Sequence, residues 1–200
     1  MSEKFEISRV FKAPRDRVWD AWTKPEQLAH WLGPKGAKSD VKHFDLKPGG
    51  YLHTRLTGPD GSVSWGKTTY REIAAPNRLV WEQGFSNEAG DIVPAPFPMP
   101  WPRLILTTVV FEAEGESTRV TLTWEPIAPT QEELASFAQM LTSMTGGWNG
   151  TFDQLQDFLA GDLIASIGRA RPASASDGWH RLTESNRRRR ALEARVLPLS

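Results

Sequence analysis

Cysteine is absent from the 200-residue chain, which excludes disulfides, thiolate nucleophiles and sulfur-ligated zinc together. Long apolar runs are missing as well. No stretch approaches the roughly 20 residues of a membrane helix, and the opening MSEKFEISRVFKAP is charged and alternating rather than signal-like. A soluble, cytoplasmic protein with no membrane partner is expected. The net charge is zero, but it is unevenly spread. From Arg169 onward eight basic residues meet three acidic ones, which leaves sixteen basic against twenty-one acidic in the body. A mildly acidic body is poor ground for phosphate contacts, so no DNA partner is expected.

Chemistry-bearing patterns are scarce too. The histidines are His30, His43, His53 and His180, and none stands at helical metal-ligand spacing from another with a carboxylate partner. His43 and His53 can meet across neighbouring strands, but two histidines without a third ligand do not make a metal centre. There is no G-x-S-x-G elbow, and Ser62 and Ser64 sit beside a hairpin turn, where serine is ordinary. Glu72 and Glu82 fall on adjacent expected strands. A buried acid/base couple is one reading, and cross-strand pairs with Arg55, Lys67 or Arg71 are the favoured one. Gly49-Gly50 is not followed by a helix, as a phosphate cradle requires, and reads as a hairpin turn. No catalytic residue, metal or cofactor is expected.

What the chain does have is indole and alternation. Residues 3–12 alternate as a strand, and Pro14 ends it. Val18, Trp19 and Trp22 then form one stripe of a short helix, and Pro25 opens a second whose stripe is Leu28, Trp31 and Leu32 before Gly33-Pro34. From Lys38 to Pro126 the period becomes two, with turn signals at 48–50, 58–61, 75–77 and 114–116. Six strands follow: VKHFDL, YLHTRLT, VSWGKTTYREI, RLVWEQGF, RLILTTVVFEA and TRVTLTWEP. From Thr130 to about Ala160 apolar residues recur at steps of three and four through Gly146-Gly147, which predicts one continuous helix with a soft point at the glycines and a stop at Gly161. The fold class is α+β. A curved seven-stranded antiparallel sheet wraps a long C-terminal helix, two short helices follow the first strand, and the gap between helix and sheet is an apolar cavity.

FKAPRDRVWDAWTKPEQLAHWLGPKG (11–36), LKPGGYLHTRLTGPDGSVSWGKTTYREIAAPNRLVWE (46–82) and GGWNGTFDQLQDFL (146–159) together resemble the AHSA-type family of the START-like (SRPBCC) superfamily, homologues of the activator of the heat-shock protein ninety ATPase. The resemblance covers roughly residues 3–160. It implies the helix-grip fold and, for the wider superfamily, binding of hydrophobic ligands. A chaperone contact follows from the family name alone.

The domain is expected over 1–162, with a basic, flexible tail over 163–200. Candidate cavity residues are Trp31, Tyr51, His53, Trp65, Tyr70, Trp81, Phe85, Trp101, Thr107, Trp124, Met144, Trp148 and Phe152. Among these, Tyr51, His53, Trp65 and Thr107 supply polar handles. Between Ser86 and Arg103, prolines recur at 94, 96, 98, 100 and 102, which forbids helix and central strand. With Phe97, Met99 and Trp101 interleaved, the segment is expected to fold over the cavity mouth; a homodimer contact or a proline-module ligand are the rival readings. Three functions remain. Non-catalytic binding of a small hydrophobic molecule is favoured over a co-chaperone-like interaction module and over a cyclase- or hydrolase-type enzyme using the same cavity.

Overall fold

The computed structural model describes residues 4–170, with side chains to Gly161. The chain divides into two compact units, 1–161 and 162–200. The basic tail expected over 163–200 lies outside the described residues, apart from helical backbone up to Ala170.

Seven strands and four helices follow one another as β1 (Phe5–Phe11), α1 (Arg15–Thr23), α2 (Pro25–Trp31), β2 (Lys38–Phe44), β3 (Tyr51–Thr57), β4 (Val63–Ala74), β5 (Arg78–Ser86), β6 (Ile105–Glu114), β7 (Ser117–Pro126), α3 (Gln131–Gln139) and α4 (Leu141–Ala170). One open antiparallel sheet runs β1-β7-β6-β5-β4-β3-β2. Strands β2 to β7 therefore form the meander the turn spacing implied, and β1 closes the far edge against β7.

The sheet face that receives the helices follows from alternation. On β6 it carries Ile105, Thr107, Val109 and Phe111, and on β7 Thr118, Val120 and Leu122, all buried. Phe11, Phe137, Phe152 and Leu155 are fully enclosed with them, each contributing about 1.5–3 kcal/mol of transfer free energy. Phe152 meets Phe11 edge-on at 5.4 Å. Beside it, Arg9 on β1 donates to Asp153 at 2.5 Å and to Asn149 at 2.9 Å. Its guanidinium also lies 5.6 Å from the Phe152 ring centre, so the β1 edge grips α4 through both charge and ring.

Helices α1 and α2 lock together through indoles. Trp31 donates its Nε1–H to the Ala21 carbonyl at 2.9 Å, and its ring lies 4.7 Å from that of Trp22. The turn after α2 is tied to α4, because the Gly33 carbonyl accepts from Thr151 Oγ1 at 3.1 Å and Gln154 Nε2 at 2.7 Å. Gly33 adopts φ +124°, a left-handed conformation that suits glycine there.

The C-terminal helical region departs from expectation in three ways. It is two helices, not one, and the break is at Met140 rather than at Gly146-Gly147. Met140 N–H is shared between the Ser136 and Phe137 carbonyls at 3.2 and 3.1 Å, the tightened geometry of a helix end. The two helices have different anchors: Phe137 on α3 packs on Trp101 at 5.6 Å, whereas α4 is held by Arg9. The glycine pair is helical and exposed, and a Cβ at either position would meet nothing within 4 Å, so no packing demand selects glycine there. Gly161 does not stop the helix, which continues to Ala170. At the other end α3 begins with a capping box: Thr130 Oγ1 accepts from Glu133 N–H, and the Glu133 carboxylate accepts from Thr130 N–H.

Candidate functional site: the cavity between sheet and helix

A cavity of about 430 Å³ lies between the sheet and the helices, within the range of small-molecule sites. Its floor is the even-numbered side of β3 and β4, with Leu52, Thr54, Leu56, Ser64, Gly66, Thr68 and Tyr70, and the odd-numbered side of β5, with Leu79, Trp81, Gln83 and Phe85. Pairing brings these together: Leu52 stands opposite Thr68, Thr54 opposite Gly66, Tyr70 opposite Trp81, and Thr68 opposite Gln83. The β-bulge between Tyr70 and Glu72 explains why the cavity face carries even residues on β4 up to Tyr70 and Ile73 beyond it. Walls come from Trp22 on α1, Leu28 on α2, Leu32 and Pro34 beyond it, Ile105 on β6, Trp124 on β7 and Trp148 on α4.

Trp148 joins the wall on both sides. It lies parallel to Trp22 at 6.4 Å and edge-on to Trp124 at 5.7 Å. Trp124 stands in register with Thr107, which stands in register with Trp81. Two buried groups of this row, Trp124 Nε1 and Thr107 Oγ1, find no hydrogen-bond partner, and neither does Trp22 Nε1 on α1. Tyr70 is 3% exposed, and burial pushes its phenol well above the ordinary value, so it stays neutral across the physiological range. Trp81 Nε1 donates to Gln83 Oε1 at 2.8 Å.

Of the thirteen candidate residues, Tyr70, Trp81, Phe85, Trp101, Trp124 and Trp148 line the cavity, and Trp65 borders it from β4 with its ring stacked on His53 on the outer face. Trp31, Thr107, Met144 and Phe152 do not. Trp31, Thr107 and Phe152 are at most 1% exposed within the packed core, and Met144 packs against that core from α4. Tyr51 and His53 lie on the opposite face of the sheet. Because Leu52, Thr54 and Leu56 face inward, a period of two sends 51 and 53 outward. There His43 and Tyr51 stack at 4.0 Å with Lys67 Nζ 4.8 Å from the Tyr51 ring centre. His53 stacks on Trp65 at 4.9 Å and hydrogen-bonds the Asn87 carbonyl through Nε2 at 3.1 Å. His43 and His53 are indeed cross-strand partners. Among the described residues, however, no group of three His, Asp or Glu side chains is placed to hold a metal ion. Glu82 pairs with Arg71 at 2.6 Å and Glu72 with Arg78 at 3.3 Å, the bland reading of those carboxylates.

The sequence reading left out Trp22, Gln83 and the Leu52–Leu56 side of β3. Trp22 packs on Trp31 within the α1–α2 pair, and its other side reaches the cavity. The alternation within YLHTRLT carried the signal for β3.

The proline-rich segment is ordered by its ends. Val93 N–H donates to Phe85 O at 2.9 Å, Ser86 bridges Ile92, and Asn87 N–H donates to Asp91 O at 3.0 Å. Pro94, Pro96, Pro98 and Pro100 are exposed, while Phe97, Met99 and Trp101 are half-buried. Phe97 bridges Phe85 at 5.7 Å and Trp101 at 5.5 Å. Trp101 and Pro102 thereby reach the cavity wall. The return leg crosses β5 so closely that a Cβ at Gly84 would stand 2.5 Å from the Arg103 carbonyl oxygen, which explains glycine inside that strand.

An open seven-stranded antiparallel sheet folded about a C-terminal helix, with two short helices at one end and a cavity between, defines the helix-grip class of START-like domains. Within that class the chain belongs to one family: residues 12–160 match the family described as Activator of Hsp90 ATPase homolog 1-like protein. A protein from Arthrobacter aurescens, solved in solution, is 28% identical with a TM-score of 0.66, over 79% of this chain and 86% of that one. Protein Ms6760 from Mycobacterium smegmatis, solved by crystallography, is 25% identical with a TM-score of 0.64, over 78% and 90% of the two chains. The AHSA1 protein of Silicibacter pomeroyi, at 14% identity and a TM-score of 0.62 over 80% and 99%, shares the fold. No curated protein matches. No described helix is long and apolar enough to cross a membrane.

Proposed function

We propose that this cytoplasmic protein binds a small, mainly apolar molecule in the cavity between the sheet and α4 and performs no reaction on it. The observation that carries this reading is the cavity itself: about 430 Å³, with Trp22, Trp81, Trp101, Trp124 and Trp148 in its walls. Indole surfaces of that extent facing a void lack the dispersion contacts a packed core supplies, and an apolar occupant restores them. The described lining contains no His, Asp or Glu, so it offers no carboxylate or imidazole to move a proton, which favours binding over catalysis.

Native mass spectrometry of freshly purified protein tests the reading. A copurified apolar molecule, displaced by mild organic solvent and competing with an added apolar probe, is the expected result. Protein that takes up no apolar probe and instead stimulates ATP turnover by a chaperone would overturn it in favour of the co-chaperone reading.

A further inference from the structure

The indole groups around the cavity only donate, while the hydroxyls of Thr54, Ser64 and Thr68 on its floor can donate or accept. An indole nitrogen only donates, so the atom of Gln83 that Trp81 Nε1 meets at 2.8 Å is the amide oxygen. This fixes the amide orientation and leaves the Gln83 NH₂ without a hydrogen bond. The Tyr70 hydroxyl likewise makes none, although the residue is almost wholly buried and lines the cavity. Tyr70 is directly opposite Trp81, and Gln83 is two residues further along β5 on the same face. The two donors are thus diagonal neighbours, with positions about 7–8 Å apart. Trp22 and Trp124 add two buried indole donors without acceptors.

Positive charge is turned away. Lys67, the one charged residue in the described lining, donates to the Gly90 carbonyl at 3.0 Å and covers the Tyr51 ring on the opposite face of the sheet. A carboxylate brought into the cavity would lose its water without gaining a counter-charge. An ammonium group would find neither carboxylate nor imidazole in the described lining.

We propose that the cavity selects an uncharged apolar molecule bearing a hydrogen-bond-accepting oxygen, of the ketone, ester or amide carbonyl type, and that Tyr70 Oη and Gln83 Nε2 hold that oxygen. This rests on the cavity-binding reading above and deepens it. The carbonyl sits at the strand β4–β5 side, and the apolar remainder lies against Trp22, Trp124 and Trp148. Tyr70 remains a donor at every physiological pH because its phenol stays neutral.

Three eleven-carbon probes test this with the whole chain: methyl nonyl ketone, undecane and undecanoate, each titrated at neutral pH against intrinsic tryptophan fluorescence. The ketone is expected to bind at least about tenfold more tightly than either of the others, as two net hydrogen bonds allow. In Tyr70→Phe the ketone loses about fivefold, one hydrogen bond's worth. Gln83→Glu, which keeps an oxygen for Trp81 and removes the donor, loses at least as much. The carbonyl stretch of the bound ketone provides a second readout that does not depend on affinity. It is expected at lower frequency than in hydrocarbon solvent, and to move back in Tyr70→Phe. Equal binding of all three probes, or a preference for undecanoate, would overturn the carbonyl inference and leave the cavity reading standing. Failure of all three to bind would overturn both.

Discussion

Replacing Trp148 with alanine separates a cavity from a packed core, provided Phe152→Ala is measured beside it. The two residues are one helical turn apart on α4, and their rings are 5.5 Å apart. Phe152 is fully buried, edge-on to Phe11 and under the Arg9 guanidinium. Its truncation creates a new hole in dense packing and costs about 4 kcal/mol. Trp148 is the larger side chain, and size alone would make it the costlier loss. However, it is half-buried and borders the cavity, so part of its surface has no partner atoms to lose. What it forfeits is its ring contact with Trp22, with Trp124 and with Phe152. At roughly 0.5–1.5 kcal/mol each, partly non-additive, these give about 2 kcal/mol. Urea unfolding followed by circular dichroism measures both variants, with unchanged m-values as the check that compactness is preserved. The expected order is Phe152→Ala well below Trp148→Ala in stability. A Trp148→Ala loss equal to or greater than that of Phe152→Ala would mean that the indole is packed on all sides and that the void is not there.

Gly146→Ala is expected to stabilise the protein by up to about 1 kcal/mol, because the position is helical, exposed and open, and thermal melting reads the gain. A loss would reinstate the packing role for that glycine. Gly84→Ala has the opposite sign: its methyl would collide with the Arg103 carbonyl, so the proline-rich segment lifts off β5 and the amides of Val93, Ala95, Phe97, Met99 and Trp101 exchange faster with solvent. Unchanged exchange there would refute the close approach. Tyr70 gives a pH dependence. Its folded pKa is raised above the unfolded value near 10, so the stabilisation is complete below about pH 10 and falls as pH rises, by about 1.4 kcal/mol per unit. Tyr70→Phe removes that share of the alkaline decline, and an identical decline in both proteins would contradict the buried phenol.

The strands were readable because turn chemistry punctuates them. Pro48-Gly49-Gly50, Gly58-Pro59-Asp60-Gly61 and Glu114-Gly115-Glu116 mark strand ends, and the runs between carry the β-branched residues a half-buried sheet accepts. The break at Met140 was not readable, because the apolar stripe runs through it in phase. The two helices also have different anchors, Phe137 on Trp101 and α4 on Arg9, and these are tertiary contacts. Within the site the legible part was the indole content of β5, β7 and α4. Tyr51 and His53 were chosen for their polar groups, whereas the faces of β3 are set by Leu52, Thr54 and Leu56. Gln83 carried no signal of its own, since an isolated glutamine on a strand gains meaning only once Trp81 is seen to fix its amide. The alternation of proline with Phe97, Met99 and Trp101 was visible, and it becomes exposed prolines alternating with half-buried apolar residues.

The central claim is that an apolar molecule enters between the sheet and α4, and the indole N–H signals of nitrogen-labelled protein test it most directly. On titration with methyl nonyl ketone, the signals of Trp22, Trp81, Trp124 and Trp148 are expected to move together and saturate, while that of Trp19, which packs on Phe111 outside the cavity lining, stays in place. Indole signals that remain fixed up to ligand saturation in solution, or that move without saturating, would contradict the account.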